Sequence, residues 1–293
     1  MRVTKARQTQ TIDPNSSELK LPLKSFVEQF VKANATVNES SEAERSWYFE
    51  ERTAQAEGGS GYVHYGTFGF ESNFVDSKTK KRNYRRKTTD VEEIPLFYQA
   101  WFPDSAKYGL VAFQSFQGRS CVALVTSKMQ KAFAQQNDGF VLRFRKLLPV
   151  GKAGGLYAQS PVKELRLVRR NAPSDVTDRY LDETPEDPID FEVSMRARRK
   201  GTLGKLQDIL GSLKANDKGL VMHDGIAFDR AVADVRIGRG TRPVNLLGSA
   251  GEAGVIDLTE TVSRGPDGHP VFDSLASEVD EILIDFFKTL SGK

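Results

Sequence analysis

The chain of 293 residues contains one cysteine, Cys121, and three scattered histidines, His64, His223 and His269. One thiol excludes an intramolecular disulfide framework, and so sparse a Cys/His set excludes a zinc cluster of the Cys/His type. No apolar run approaches the roughly 18 residues that span a bilayer. The basic start, Met1 to Arg7, lacks the apolar stretch of a secretory leader. A reducing cytoplasm is the expected compartment, and no membrane partner is expected. Also missing are a repeat of fixed period and a phosphate-cradling loop, since Gly201-Thr202-Leu203-Gly204-Lys205 lacks the GxxxxGK[ST] spacing. No cofactor and no metal site is expected from these residues.

What is present is unevenly placed charge. The net charge is +3, but from Gly251 onward nine acids face three bases, so this tail is −6 and residues 1–250 carry +9. Such asymmetry fits a nucleic-acid binder and equally fits charge pairing within the molecule. The densest stretch runs from Lys78 to Lys87, with seven cationic side chains in ten residues and no acid among them. Like charges this close repel, which favours an extended or mobile segment unless a polyanion compensates it.

Around this run the hydrophobic pattern predicts an α+β fold of mostly antiparallel sheets in two lobes, closed by an amphipathic C-terminal helix. Leu23, Phe26, Val27, Phe30 and Val31 fall on one helical face, and 122–135 has helical spacing too. Residues 33–56 are mixed and polar and lead to Gly58-Gly59-Ser60-Gly61, and a glycine-rich break is expected at 151–155. Residues 62–75, 94–102 and 110–116 read as strands, with the basic run as a hairpin tip or long loop. Further strands are expected at 162–168, 189–197, 225–237, 242–247 and 254–262. Helices are expected at 203–213, capped by Thr202, and at about 274–290. The N-terminal lobe is set at residues 1–170 and the C-terminal lobe at 189–293, with the acidic, Pro-containing stretch 171–188 as linker or loop.

Two clusters are the candidate nucleic-acid contacts. The first is Lys78, Lys80, Lys81, Arg82, Arg85, Arg86 and Lys87, with Tyr84 available to stack on a base. Its plainer alternative is a solvated tip that protects a sheet edge. The second is Arg196, Arg198, Arg199 and Lys200, at a strand end just before a helix start that could hold a phosphate. Arg143, Arg145, Lys146, Lys163, Arg166, Arg169 and Arg170 could form a basic sheet surface, or could be ordinary outward positions of half-exposed strands. Cys121 either has its thiol acidity raised by Arg119 or is a buried, inert side chain at a helix start.

Over residues 140–290 the order of features is similar to the Rex exclusion protein A family of lambdoid phages. The likeness rests on the strand ending Met195-Arg196-Ala197-Arg198, the helix around Leu206 to Gly211, the Arg-rich strand after it, and the Gly268-His269 turn before an acidic helix. This resemblance implies a cytoplasmic DNA binder of antiphage defence, with dimerisation as one option. It tips the expected ligand toward DNA over RNA and identifies no catalytic residue. The function expected is phosphate-dominated, largely sequence-independent nucleic-acid binding by a non-enzyme. The alternatives are a metal-dependent nuclease using Asp190 and Glu192 or Asp104, and an interaction module. In the latter the basic run and the acidic helix dock between copies or onto a defence-system partner protein.

Overall fold

The computed structural model describes the whole chain except residues 41–43, 105, 148–156, 179–180, 182–187, 199–200, 214–219, 248–254 and 292–293. It divides into two compact units, Met1–Arg145 and Lys146–Lys293. Both combine antiparallel sheet with helix, the α+β class expected.

The first unit begins with strands β1 (Arg2–Lys5) and β2 (Thr11–Ile12) and helix α1 (Leu23–Ala33). Next come β3 (Asn38–Ser40), β4 (Arg45–Gln55), β5 (Gly58–Thr67), β6 (Ser72–Val75), β7 (Arg82–Arg86), β8 (Glu92–Trp101) and β9 (Leu110–Phe113). Two short strands, β10 (Ser115–Phe116) and β11 (Arg119–Ser120), precede α2 (Val122–Gln136) and β12 (Phe140–Arg143). The main sheet has the order β3-β4-β5-β8-β9, and β12-β1-β2 form a second, smaller one. Helix α1 buries all five residues picked out by its spacing, Leu23, Phe26, Val27, Phe30 and Val31. Phe26 meets Phe133 of α2 edge-on at 5.0 Å, and Phe30 lies 6.2 Å from Trp47 and 6.0 Å from Phe49 of β4. Val63, Leu96, Tyr98 and Ala100 complete the sheet's inner face. Each fully buried Val, Leu or Phe among them contributes on the order of 1.5–3 kcal/mol by leaving water.

Two expectations change here. The polar stretch 33–56 contains β4, an eleven-residue strand, because Trp47 and Phe49 suffice to bury one face while Tyr48, Glu50 and Arg52 keep the other wet. The glycines at 58–61 lie inside β5, which starts at Gly58 and not at residue 62 as expected. A Cβ on Gly61 would come within 2.0 Å of the Glu50 carbonyl oxygen, so the strands pair this closely only without one.

The second unit holds β13 (Val162–Arg169), the short helix α3 (Ser174–Thr177), β14 (Phe191–Arg196), α4 (Leu206–Ser212), β15 (Val221–His223) and β16 (Ile226–Phe228). It continues with β17 (Arg230–Ile237), β18 (Gly240–Leu247) and α5 (Phe272–Ser291). Its sheet runs β14-β13-β17-β18. Leu165, Leu167, Ala231, Ala233, Val235 and Val244 pack with Leu206 and Ile209 of α4 and with Ile282 and Phe286 of α5. The boundary between units therefore falls at Arg145/Lys146, ahead of the place expected. Strand β13 belongs to this unit because both of its neighbours, β14 and β17, are here. Residues 171–188 connect two paired strands of one sheet. Residues 254–262 supply only an isolated bridge, Val244 to Ile256, and no strand among the described residues. Helix α4 starts at Leu206 with Lys205 in the capping position, so Thr202 is not its cap.

Candidate nucleic-acid interface

The basic run is half strand. β6 and β7 pair as a two-stranded hairpin in which Phe74 faces Tyr84 and Ser72 faces Arg86. The turn is built around Asp76, whose Oδ1 accepts the backbone N–H groups of Lys78 at 3.0 Å and Thr79 at 2.6 Å. These hydrogen bonds, Thr79 foremost, hold the Asp76 carboxyl below its ordinary range. Lys80 takes a left-handed backbone, φ 57°, and its N–H closes onto the Asp76 carbonyl at 2.9 Å.

The hairpin is extended and clamped to the main sheet, and the clamp is one of the expected ligand contacts, Arg86. Arg86 is 2% exposed. Its guanidinium donates to the carbonyl oxygens of Thr67 and Asp90, pairs with Glu92 at 3.3 Å and lies 4.3 Å over the Phe70 ring. Glu92 is also gripped by Arg119. Arg86 is thus removed from the set that can reach a ligand, because withdrawing it would leave Glu92 and two carbonyls short of a donor. Arg85 is exposed and pairs with Glu71 at 2.6 Å. Lys78, Lys80, Lys81, Arg82 and Lys87 are exposed and form no ion pair among the described residues. Tyr84 is half exposed and donates its hydroxyl to Asp90, which also accepts the Lys87 N–H at 2.7 Å. Those bonds, the backbone one first, hold the Asp90 carboxyl low.

The second cluster lies in the other unit. Arg196 extends into solvent but turns its guanidinium back on Glu164, with Nε at 2.7 Å and Nη2 at 2.5 Å, a two-point grip completed by the Ser194 hydroxyl at 2.8 Å. Arg198 is exposed without an ion pair among the described residues. Arg199 and Lys200 lie outside the described residues. The wider basic surface is largely neutralised across strands: Arg166 pairs with Asp234 at 3.6 Å, Arg169 with Asp229 at 4.0 Å and Arg230 with Asp257 at 3.4 Å. Lys163 donates to the Gly201 carbonyl at 2.5 Å, and Arg143 to the Thr4 hydroxyl at 3.0 Å. The acidic helix α5 is likewise engaged internally. Glu278 and Glu281 hold the buried Arg242 of β18 at 2.6 and 3.3 Å, and Asp285 accepts the Tyr157 hydroxyl.

His64 and Asp190 take part in internal hydrogen bonds. His64 bridges Glu50, 2.7 Å from Nε2, and Glu93, 3.1 Å from Nδ1, beneath a parallel Tyr48 ring 4.5 Å away. Its two nitrogens address different carboxylates, so the three do not converge on one point. Asp190 accepts the Asn171 N–H, and Glu192 stands opposite Val168 in the sheet. Among the described residues no three His, Cys, Asp or Glu side chains form a metal-holding group. Cys121 is fully buried, and burial pushes its thiol up to about 12, so the inert reading holds over the activated one. No described helix is long and apolar enough to cross a membrane. Comparison with protein-family models, with curated proteins and with solved structures returns no match.

Proposed function

We propose that the protein binds nucleic acid mainly through phosphates, with little base readout, and that the β6–β7 hairpin is its principal contact. One observation supports this above the others: Lys78, Lys80, Lys81, Arg82 and Lys87 stand unpaired and exposed on a hairpin that Arg86 already holds in place. Five exposed cations that form no ion pair among the described residues exceed what edge protection requires. The nearby acids are occupied elsewhere, Asp76 and Asp90 with backbone N–H groups, Glu71 with Arg85, and Glu92 with Arg86. Arg198 supports a second contact in the other unit, with Arg199 and Lys200 beside it in sequence. The likeness to the Rex exclusion protein A family extends the proposal to DNA as the preferred ligand and to a role in antiphage defence.

The test is a mobility-shift series with duplex DNA, single-stranded DNA and RNA across salt concentrations. Affinity should fall linearly on a log–log plot. Replacing Lys78, Lys80, Lys81, Arg82 and Lys87 with Gln should lower that slope by up to about 3.5–4.5, at roughly 0.7–0.9 per contact. Thermal unfolding should stay unchanged, because none of the five is packed. A flat salt dependence in the unaltered protein, or an unchanged slope in the five-site variant, would end the proposal.

A further inference from the structure

Charge explains the turn of the hairpin but not its aromatic face. Phe74 and Tyr84 oppose each other across β6 and β7, with ring centroids 6.1 Å apart and planes at 37°. They remain 45% and 50% exposed. A cross-strand ring pair steadies a hairpin by only about 0.2–1 kcal/mol, and leaving two large rings half wet forgoes burial energy of at least that size. Nor is Tyr84 loose. The Tyr84 hydroxyl is tied to Asp90, the same carboxylate that accepts the Lys87 N–H. Two residues along the same face of β7, Arg86 fixes the strand to the main sheet. The unpaired cations Lys80, Lys81 and Arg82 lie just before Tyr84 in the chain, and Lys87 just after it.

We infer that the Phe74–Tyr84 pair is a preformed stacking platform for unpaired nucleobases, so that the hairpin takes single-stranded nucleic acid in preference to duplex. The inference rests on the nucleic-acid reading above and adds to it the kind of strand. A flat π-face beside unpaired cations matches a ligand that carries exposed bases on a phosphate chain; a duplex stacks its bases on one another and offers this platform only its backbone. An anionic lipid surface would also attract the cations. It fits less well, because seating the rings in the interface would carry the Asp90 carboxylate bound to Tyr84 along with them. Because Tyr84 is tied to Asp90 before any ligand arrives, stacking on its ring loses little side-chain freedom.

The experiment measures anisotropy of a labelled oligothymidylate and of a duplex of equal length with the full chain and its variants. Tyr84→Ala and Phe74→Ala should each weaken single-strand binding by about 5- to 150-fold, the range of one lost base–aromatic stack. Duplex binding should change by less than about twofold, and both salt slopes should stay put, since no phosphate contact is removed. Tyr84→Phe keeps the ring and should retain single-strand affinity, whereas Tyr84→Leu and Phe74→Leu keep apolar bulk without a π-face and should behave like the Ala variants. Equal losses on duplex and single strand, or full affinity in the Leu variants, would overturn the platform while leaving phosphate binding standing. Absence of binding to either oligonucleotide would remove the underlying reading instead. Binding to phosphatidylserine vesicles that depends on both rings, with none to the oligonucleotides, would assign the pair to a membrane surface and also overturn the inference.

Discussion

The β6–β7 hairpin and the β14-β13-β17-β18 sheet are both rich in arginine and lysine, yet the structure treats their charges in opposite ways. On the sheet, Arg166, Arg169, Arg196 and Arg230 each meet an acid on a neighbouring strand or segment. On the hairpin, five cations meet none among the described residues, and the nearby acids are turned to the backbone or to other arginines. A count of basic residues therefore ranks the two regions alike, while pairing separates a neutralised surface from one left with an open field.

The largest test of this contrast is on the buried arginines. Arg86→Gln and Arg242→Gln should each cost about 3 kcal/mol in denaturant unfolding, because carboxylates and carbonyls lose a buried donor. Arg85→Gln, at an exposed pair, should cost at most about 1 kcal/mol. If Arg86 and Arg85 prove equally dispensable, the hairpin is not clamped as described. A smaller effect should come from liberating a paired cation. Glu164→Gln removes the carboxylate that holds Arg196, and should raise the salt slope of binding by about 0.7–0.9 if Arg196 then reaches a phosphate. No rise would show that the sheet face is silent for reasons beyond pairing.

The smallest effect concerns acid. Burial pushes the Glu164 carboxyl upward, but the hydrogen bonds from Ser194 and Arg196 outweigh it and leave the group below its ordinary value of 4.5. A carboxylate held low in the fold contributes stability that is fully present above the unfolded value and is lost as pH falls through the folded one. Unfolding followed downward from pH 5 should therefore show a steeper acid limb in the unaltered protein than in Glu164→Gln. Identical limbs would mean that the pair with Arg196 has no net worth in water.

Much of the fold was legible because it depends on local periodicity. The faces of α1 and α5 could be read from spacing alone, since Leu23, Phe26 and Phe30, or Leu275, Val279 and Ile282, must all be buried together. Strand β4 was not legible: two buried aromatics amid Glu50, Glu51 and Arg52 carry too little alternation to stand out. The unit boundary escaped because the membership of β13 depends on pairing with β17, some 60 residues on, which no local pattern encodes. At the site, the cationic run was plain, but the separate fate of Arg86 was not. The available signal was the alternation of Tyr84 and Arg86 against Ser72 and Phe74, which places an arginine on the face that returns to the sheet. Asp90, outside the run and opposite in charge, had no signal of its own, although it orients Tyr84.

The neck of the hairpin has a consequence for the architecture as a whole. Thr67 and Glu92, where the chain leaves and rejoins the main sheet, are themselves paired partners on the adjacent strands β5 and β8. Residues 68–91 are thus an insertion whose two ends already sit side by side. Joining Thr67 to Glu92 through a short tight turn should yield a plain β5–β8 hairpin, with the five-stranded sheet and both helices intact. The excised segment is correspondingly portable: spliced between paired strands of an unrelated sheet, with a threonine and a glutamate at its ends to receive Arg86, it should stand up on its new host as it does here.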